Sequence, residues 1–140
     1  MADYFTEFSC ILDVGSSANV VAALAILADM AAALEADDGL ALGFAAEGSL
    51  SQPSALWLRD DGGYGEPEHV IAFALRCAEA FGLTGRWGFC WAVTCSRPRE
   101  DGFGGGAQVL DLGRRKSLAW TDCSEWLAGQ LADGAATGPG

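Results

Sequence analysis

The spacing of apolar residues switches along this chain between every second position and every third or fourth, and that alternation constrains the fold more tightly than any other feature. From Tyr4 to Val14 the even positions Tyr4, Phe8, Cys10, Leu12 and Val14 are mostly apolar while the odd set includes Glu7, Ser9 and Asp13, which predicts a strand with one buried face. Gly15 breaks it, and Ser16 or Ser17 is placed to cap the helix that follows. Val20, Leu24, Leu27, Ala31 and Leu34 form one apolar stripe of that helix, which ends at Asp37, Asp38 and Gly39. Leu40 to Glu47 alternates again, and after a turn over Gly48 to Ser54 a third strand runs from Ala55 to Arg59.

Asp60 to Gly65 reads as a glycine-rich acidic loop, and Pro67 fits the first turn of a second helix with Glu66 and Glu68 beside its positive end. Val70, Phe73, Ala74, Cys77 and Phe81 make its inner stripe, closed by Gly82. Arg86 to Ser96 is the strongest strand and apolar enough on both faces to be central. Ser96 to Gly106 reads as a polar loop, Ala107 to Leu112 and Lys116 to Thr121 as a hairpin, and Asp122 with Glu125 as a capping box for a short helix over Ser124 to Ala132. The order β-α-β-β-α-β, with a C-terminal β-hairpin and short terminal helix, resembles a ferredoxin-like α+β sandwich over residues 4–96. One domain is expected over residues 1–134, with a frayed tail over Ala135 to Gly140.

Charge narrows the function classes. The chain holds 19 acids against 8 bases, for a net charge of −11. The first 58 residues contain eight acids and no lysine or arginine, giving −8, whereas the rest has eleven acids against eight bases and carries only −3. Such a surface repels phosphate backbones, so direct nucleic-acid binding is not expected, and it steers basic partners inward. The start of the chain lacks a basic segment followed by an apolar run, and the apolar stretch Ala18 to Leu34 is interrupted by Asn19 and Asp29, so a buried helix and a cytoplasmic protein without a membrane role are expected.

No established catalytic pattern emerges. The five cysteines, Cys10, Cys77, Cys90, Cys95 and Cys123, have no CxxC pair and read as buried core thiols. His69 is the single histidine and lacks a nucleophile setting. The segment Asp101 to Gly106 has neither the lysine nor the following helix of a phosphate-binding loop and reads as a flexible turn. Asp60, Asp61, Glu66 and Glu68 do not match a calcium-loop spacing, and acidic loops are usually just solvated. Neither a cofactor nor a metal is expected. Trp57, Trp87 and Trp91 lie on strands, where a tryptophan on an uncovered sheet face is a typical protein anchor and one facing the helices is core. Arg97 and Arg99, with Arg114, Arg115 and Lys116, concentrate five of the eight bases in two loops.

The run Pro67-Glu68-His69-Val70-Ile71-Ala72-Phe73, with Gly85-Arg86-Trp87-Gly88-Phe89, Cys95-Ser96-Arg97-Pro98-Arg99 and Asp101-Gly102-Phe103-Gly104-Gly105-Gly106-Ala107, resembles uncharacterised small acidic proteins of proteobacterial mobile elements. That resemblance implies no known activity and transfers no site residues. In general character the chain is similar to anti-CRISPR proteins. The expectation is a non-enzymatic acidic binding protein, a phage- or plasmid-encoded inhibitor of a basic nucleic-acid-handling host complex. Its expected partner-binding residues are Asp37, Asp38, Asp60, Asp61, Glu66, Glu68, Trp57, Arg97 and Arg99. Two alternatives stand beside it. One is a small-ligand binder or enzyme using a cleft between the Asp60 to Glu68 loop and the Arg97 to Gly106 loop near His69; the other is a homo-oligomeric structural protein that pairs, for instance as a homodimer, through its open sheet face.

Overall fold

Two antiparallel sheets and three helices make up the chain in a computed structural model that describes residues 3–99 and 102–137, with residues 133–137 described by their backbone. The strands are β1 (Tyr4–Glu7), β2 (Ser9–Asp13), β3 (Phe44–Gly48), β4 (Ala55–Asp60), β5 (Arg86–Cys95), β6 (Gly104–Asp111) and β7 (Lys116–Asp122). The helices are α1 (Ser17–Asp38), α2 (Pro67–Phe81) and α3 (Cys123–Thr137). One sheet has the order β1-β5-β6-β7 and the other β2-β4-β3.

The single N-terminal strand expected from alternation is two strands, because the run changes partners at Phe8. Glu7 lies opposite Ala92 of β5, whereas Ser9 lies opposite Arg59 of β4. At the crossover, Asp60 clamps Phe8 from both sides: its Oδ1 accepts from the Phe8 amide at 2.9 Å, and its own amide donates to the Phe8 carbonyl at 3.1 Å. The Phe8 ring points into the core between Phe44 of one sheet (6.3 Å between centroids) and Phe89 of the other (5.8 Å), so a single side chain ties the sheets together. Trp87 closes the gap lower down, its Nε1 donating to the Ile11 carbonyl at 2.8 Å.

Leu12, Val14, Leu56, Leu58, Val70, Phe73 and Leu110 are fully buried between the helices and the inner sheet faces. α2 follows its expected bounds: Pro67 stands in the first turn, and Gly82 terminates it with φ 63° and an amide that donates to the Ala78 carbonyl. Ser16 caps α1 by accepting from the Asn19 amide at 3.1 Å.

Four expectations need correction. α1 is only partly buried: Val20 and Ala23 lie in the core and the expected stripe residues Leu24, Leu27, Ala31 and Leu34 pack half-buried against it, while the alanine-rich remainder is exposed, alanine favouring helix without requiring burial. By length and composition α1 is also the one described helix apolar enough to cross a membrane. Leu40 to Gly43 is not strand, and β3 begins at Phe44. There Gly43 adopts φ 77° directly against the Tyr64 carbonyl, where a β-carbon would collide.

Gly104 to Gly106 is not part of a flexible loop but the start of β6. The Trp91 indole lies across Gly106: a β-carbon there would sit 2.5 Å from its Cζ2 and 2.6 Å from the Thr121 carbonyl oxygen. Gly106 therefore makes room for the ring of a tryptophan on the neighbouring strand. Finally, α3 runs to Thr137, five residues past its expected end, capped by Asp122 Oδ1 accepting from the Glu125 amide at 2.9 Å. Asp101 of the glycine-rich segment and residues 138–140 of the expected tail lie outside the described residues.

Candidate functional site

The expected partner-binding residues separate into four groups once the chain is folded. Asp37 and Asp38 end α1 and line a hollow of about 260 Å³ with Met30, Leu34, His69 and Arg76. Asp61 stands close by on the far side of the 39–43 turn, its amide donating to the Gly43 carbonyl at 2.8 Å. With Glu35 it rims a trough of about 630 Å³ between α1 and β3, floored by Leu27, Leu40 and Phe44. His69 Nδ1 donates to the Leu42 carbonyl at 3.2 Å, which pins this turn against the start of α2.

Glu66 and Glu68 face the other way. Together with Pro67 and Ile71 they form one wall of a groove of about 510 Å³ whose opposite side is Trp91, Gln108 and Trp120 of the four-stranded sheet. Trp91 is half-buried and its ring lies 5.4 Å from that of Phe89, so its position is set by core packing. Trp120 sits opposite Gln108 on the edge strand β7 and is 63% exposed. Gln108 is itself buried and donates through Nε2 to Ser117 Oγ.

Asp60 and Trp57 are absorbed by the fold. Both carboxylate oxygens of Asp60 are occupied, Oδ1 by the Phe8 amide and Oδ2 by the Gly63 amide at 3.0 Å. Trp57 lies on the outer face of the three-stranded sheet, donates to Ser9 Oγ at 2.7 Å and carries the Arg59 guanidinium over its ring at 4.5 Å. Glu47 completes that trio through an ion pair with Arg59 at 2.6 Å. Arg97 and Arg99 are exposed around a separate small cavity of about 210 Å³ lined by their own loop.

β1 occupies the space between that loop and the acidic one. Tyr4 pairs with Cys95 on one edge of β1, while on the other the Thr6 amide donates to the Gly63 carbonyl at 2.7 Å. The two loops therefore bracket a strand instead of framing a cleft. Among the described residues no group of three or more histidine, cysteine or carboxylate side chains is arranged to hold a metal ion.

The cysteines are less uniform than expected. Cys77 is buried, Cys10 and Cys95 are half-buried, and Cys90 and Cys123 are exposed because they lie on an uncovered sheet face and at the start of an uncovered helix. Burial pushes the Cys77 thiol up to about 12, with Arg76 pulling slightly the other way. Burial likewise raises Cys10 to about 12, reinforced by Cys90. Both are held as thiols at neutral pH, the opposite of an activated nucleophile.

Two exposed tryptophans escaped the sequence reading. Trp126 is 61% exposed and shares α3 with exposed Leu127 and Leu131, and Trp120 precedes it on β7. The signal was present in the order of elements: a hairpin strand with only a helix after it ends the sheet, and its side chains have no further strand to cover them. Comparison of the chain with protein-family models, with curated proteins and with solved structures finds no match.

Proposed function

We propose that this chain is a non-enzymatic acidic binding protein whose partner is a basic protein or nucleoprotein complex. The observation that carries the reading is the unbalanced charge at the end of the molecule built by the α1 terminus and the loops before β3 and α2. Asp37, Asp38 and Asp61 are exposed there, Glu66 and Glu68 are exposed on the other side of the start of α2, and Arg76 in the Asp37–Asp38 hollow offsets only part of this charge; among the described residues the ion pairs, Arg59 with Glu47 and Arg114 with Asp111, involve none of these acids. A field predominantly of one sign attracts and orients an oppositely charged partner. Inhibition of a nucleic-acid-handling complex is the concrete form of this activity, since such complexes expose the basic surfaces that bind phosphates.

The pairings of β5 with β1, β2 with β4 and β4 with β3 support reading the two sheets as one ferredoxin-like sandwich, split at Phe8 and extended by the β6–β7 hairpin. A cytoplasmic location fits an α1 whose Val20 and Ala23 sit in the core and whose Asn19 side chain donates to the Val14 carbonyl at 2.8 Å.

The test is retention of a basic nucleoprotein effector on the immobilised protein at about 50 mM and about 500 mM salt. Retention at low salt, release at high salt, and weakened retention by the D37N/D38N/D61N variant are expected. An effector held equally by that variant, or indifferent to salt, would show that charge at this end does not recruit it.

A further inference from the structure

We propose that the groove between the first turn of α2 and the β5-β6-β7 surface receives an arginine side chain of the protein partner. The inference rests on the basic-partner reading above and names the chemistry of one contact. Trp91 and Trp120 supply two indoles, one held by packing and one largely open to solvent, and Glu66 and Glu68 place two exposed carboxylates on the facing wall. An indole face attracts a cation, and a guanidinium both stacks on aromatic rings and accepts paired carboxylates as hydrogen-bond partners. The two carboxylates outweigh the roughly half-unit positive charge at the N-terminus of α2, so the groove is net anionic.

The same chain shows the arrangement in its filled form. On the outer face of the other sheet, Arg59 lies over the Trp57 ring at 4.5 Å with Glu47 bound to its guanidinium at 2.6 Å. The groove repeats the tryptophan and the carboxylate and has no arginine among its described lining residues. Both indoles lie on the face of the sheet that α2 only partly covers. Gln108, on the tryptophan side of the groove, is buried and uncharged and donates through Nε2 to Ser117, which leaves the carboxylates as the charged groups that meet an incoming side chain.

The probe is a capped Gly-Arg-Gly peptide titrated to about 10 mM against the full chain, with a Gly-citrulline-Gly peptide as the uncharged isostere. The readouts are calorimetry and the indole N–H resonances, assigned by W91F, W120F and W57F substitutions. Saturable binding of the arginine peptide is expected, shifting the Trp91 and Trp120 resonances and leaving that of Trp57 in place. W120A and E66Q/E68Q should each weaken it by about tenfold, with melting temperatures within about 5 °C of wild type, the E66Q/E68Q loss coming from the helix N-terminus.

The inference is overturned by equal binding of the citrulline peptide, by binding that these variants leave intact, or by no saturable binding. The two levels of the proposal fail separately. A basic effector retained equally by wild-type and W120A protein removes the arginine groove and leaves the acidic-binding reading. Peptide binding in the groove without salt-sensitive effector retention does the reverse.

Discussion

Asp60 illustrates how a residue that reads as a surface contact becomes an internal brace. Its carboxylate satisfies two backbone amides at the point where the N-terminal run leaves one sheet for the other. D60A should cost about 1–3 kcal/mol, because two part-buried donors lose their acceptor, and lower the melting temperature by about 5–10 °C. D60N keeps one acceptor oxygen and should lose less; equal melting of all three proteins would deny the brace. Gly106 makes a complementary case. G106A drives a β-carbon into the Trp91 ring and the Thr121 carbonyl, and the second of these is backbone that cannot swing aside. A loss of about 1–3 kcal/mol is expected, with a changed near-ultraviolet circular dichroism band as Trp91 is displaced. The glycine run was legible as composition, but the need for Gly106 was not, because the ring it accommodates lies on a different strand.

At the scale of elements, α3 stands apart from α1 and α2, which both contribute to the core. α2 buries Val70, Phe73, Ala74 and Cys77 of its expected stripe, with Ala78 buried and Phe81 only half-buried beside them, whereas the described side chains of α3 are exposed. Truncation after Asp122 should therefore shift the melting temperature by less than about 3 °C. It should also raise solubility, since exposed Trp126, Leu127 and Leu131 leave with the helix. A large loss of stability on truncation, followed by circular dichroism, would mean that α3 seals the sheet. Helix starts were readable from Ser16, Pro67 and Asp122 because capping is local chemistry. The division of Tyr4 to Asp13 into two strands was not, since alternation continues unbroken through the change of partner.

For the whole molecule, a net charge of −11 with few ion pairs among the described residues means that like charges repel in the folded state. Raising salt from about 20 mM to about 500 mM should increase the melting temperature by a few degrees, as screening relieves that repulsion. A melting temperature independent of salt would place the acids too far apart to interact. The same screening should weaken any basic partner, so stability and binding are expected to respond to salt in opposite directions.

The amino-acid sequence by itself determined the order of elements after the N-terminal strand run, the bounds of α2, the caps and the excess of negative charge, because each depends on neighbours a few positions away or on composition alone. Only the tertiary structure decided which acids meet. It turned Asp60 inward, placed Trp57 under Arg59, and set Glu66 and Glu68 across from Trp91 and Trp120. Those arrangements come from strand register and from the crossover at Phe8, which bring together residues tens of positions apart, and no local pattern encodes which of them face one another.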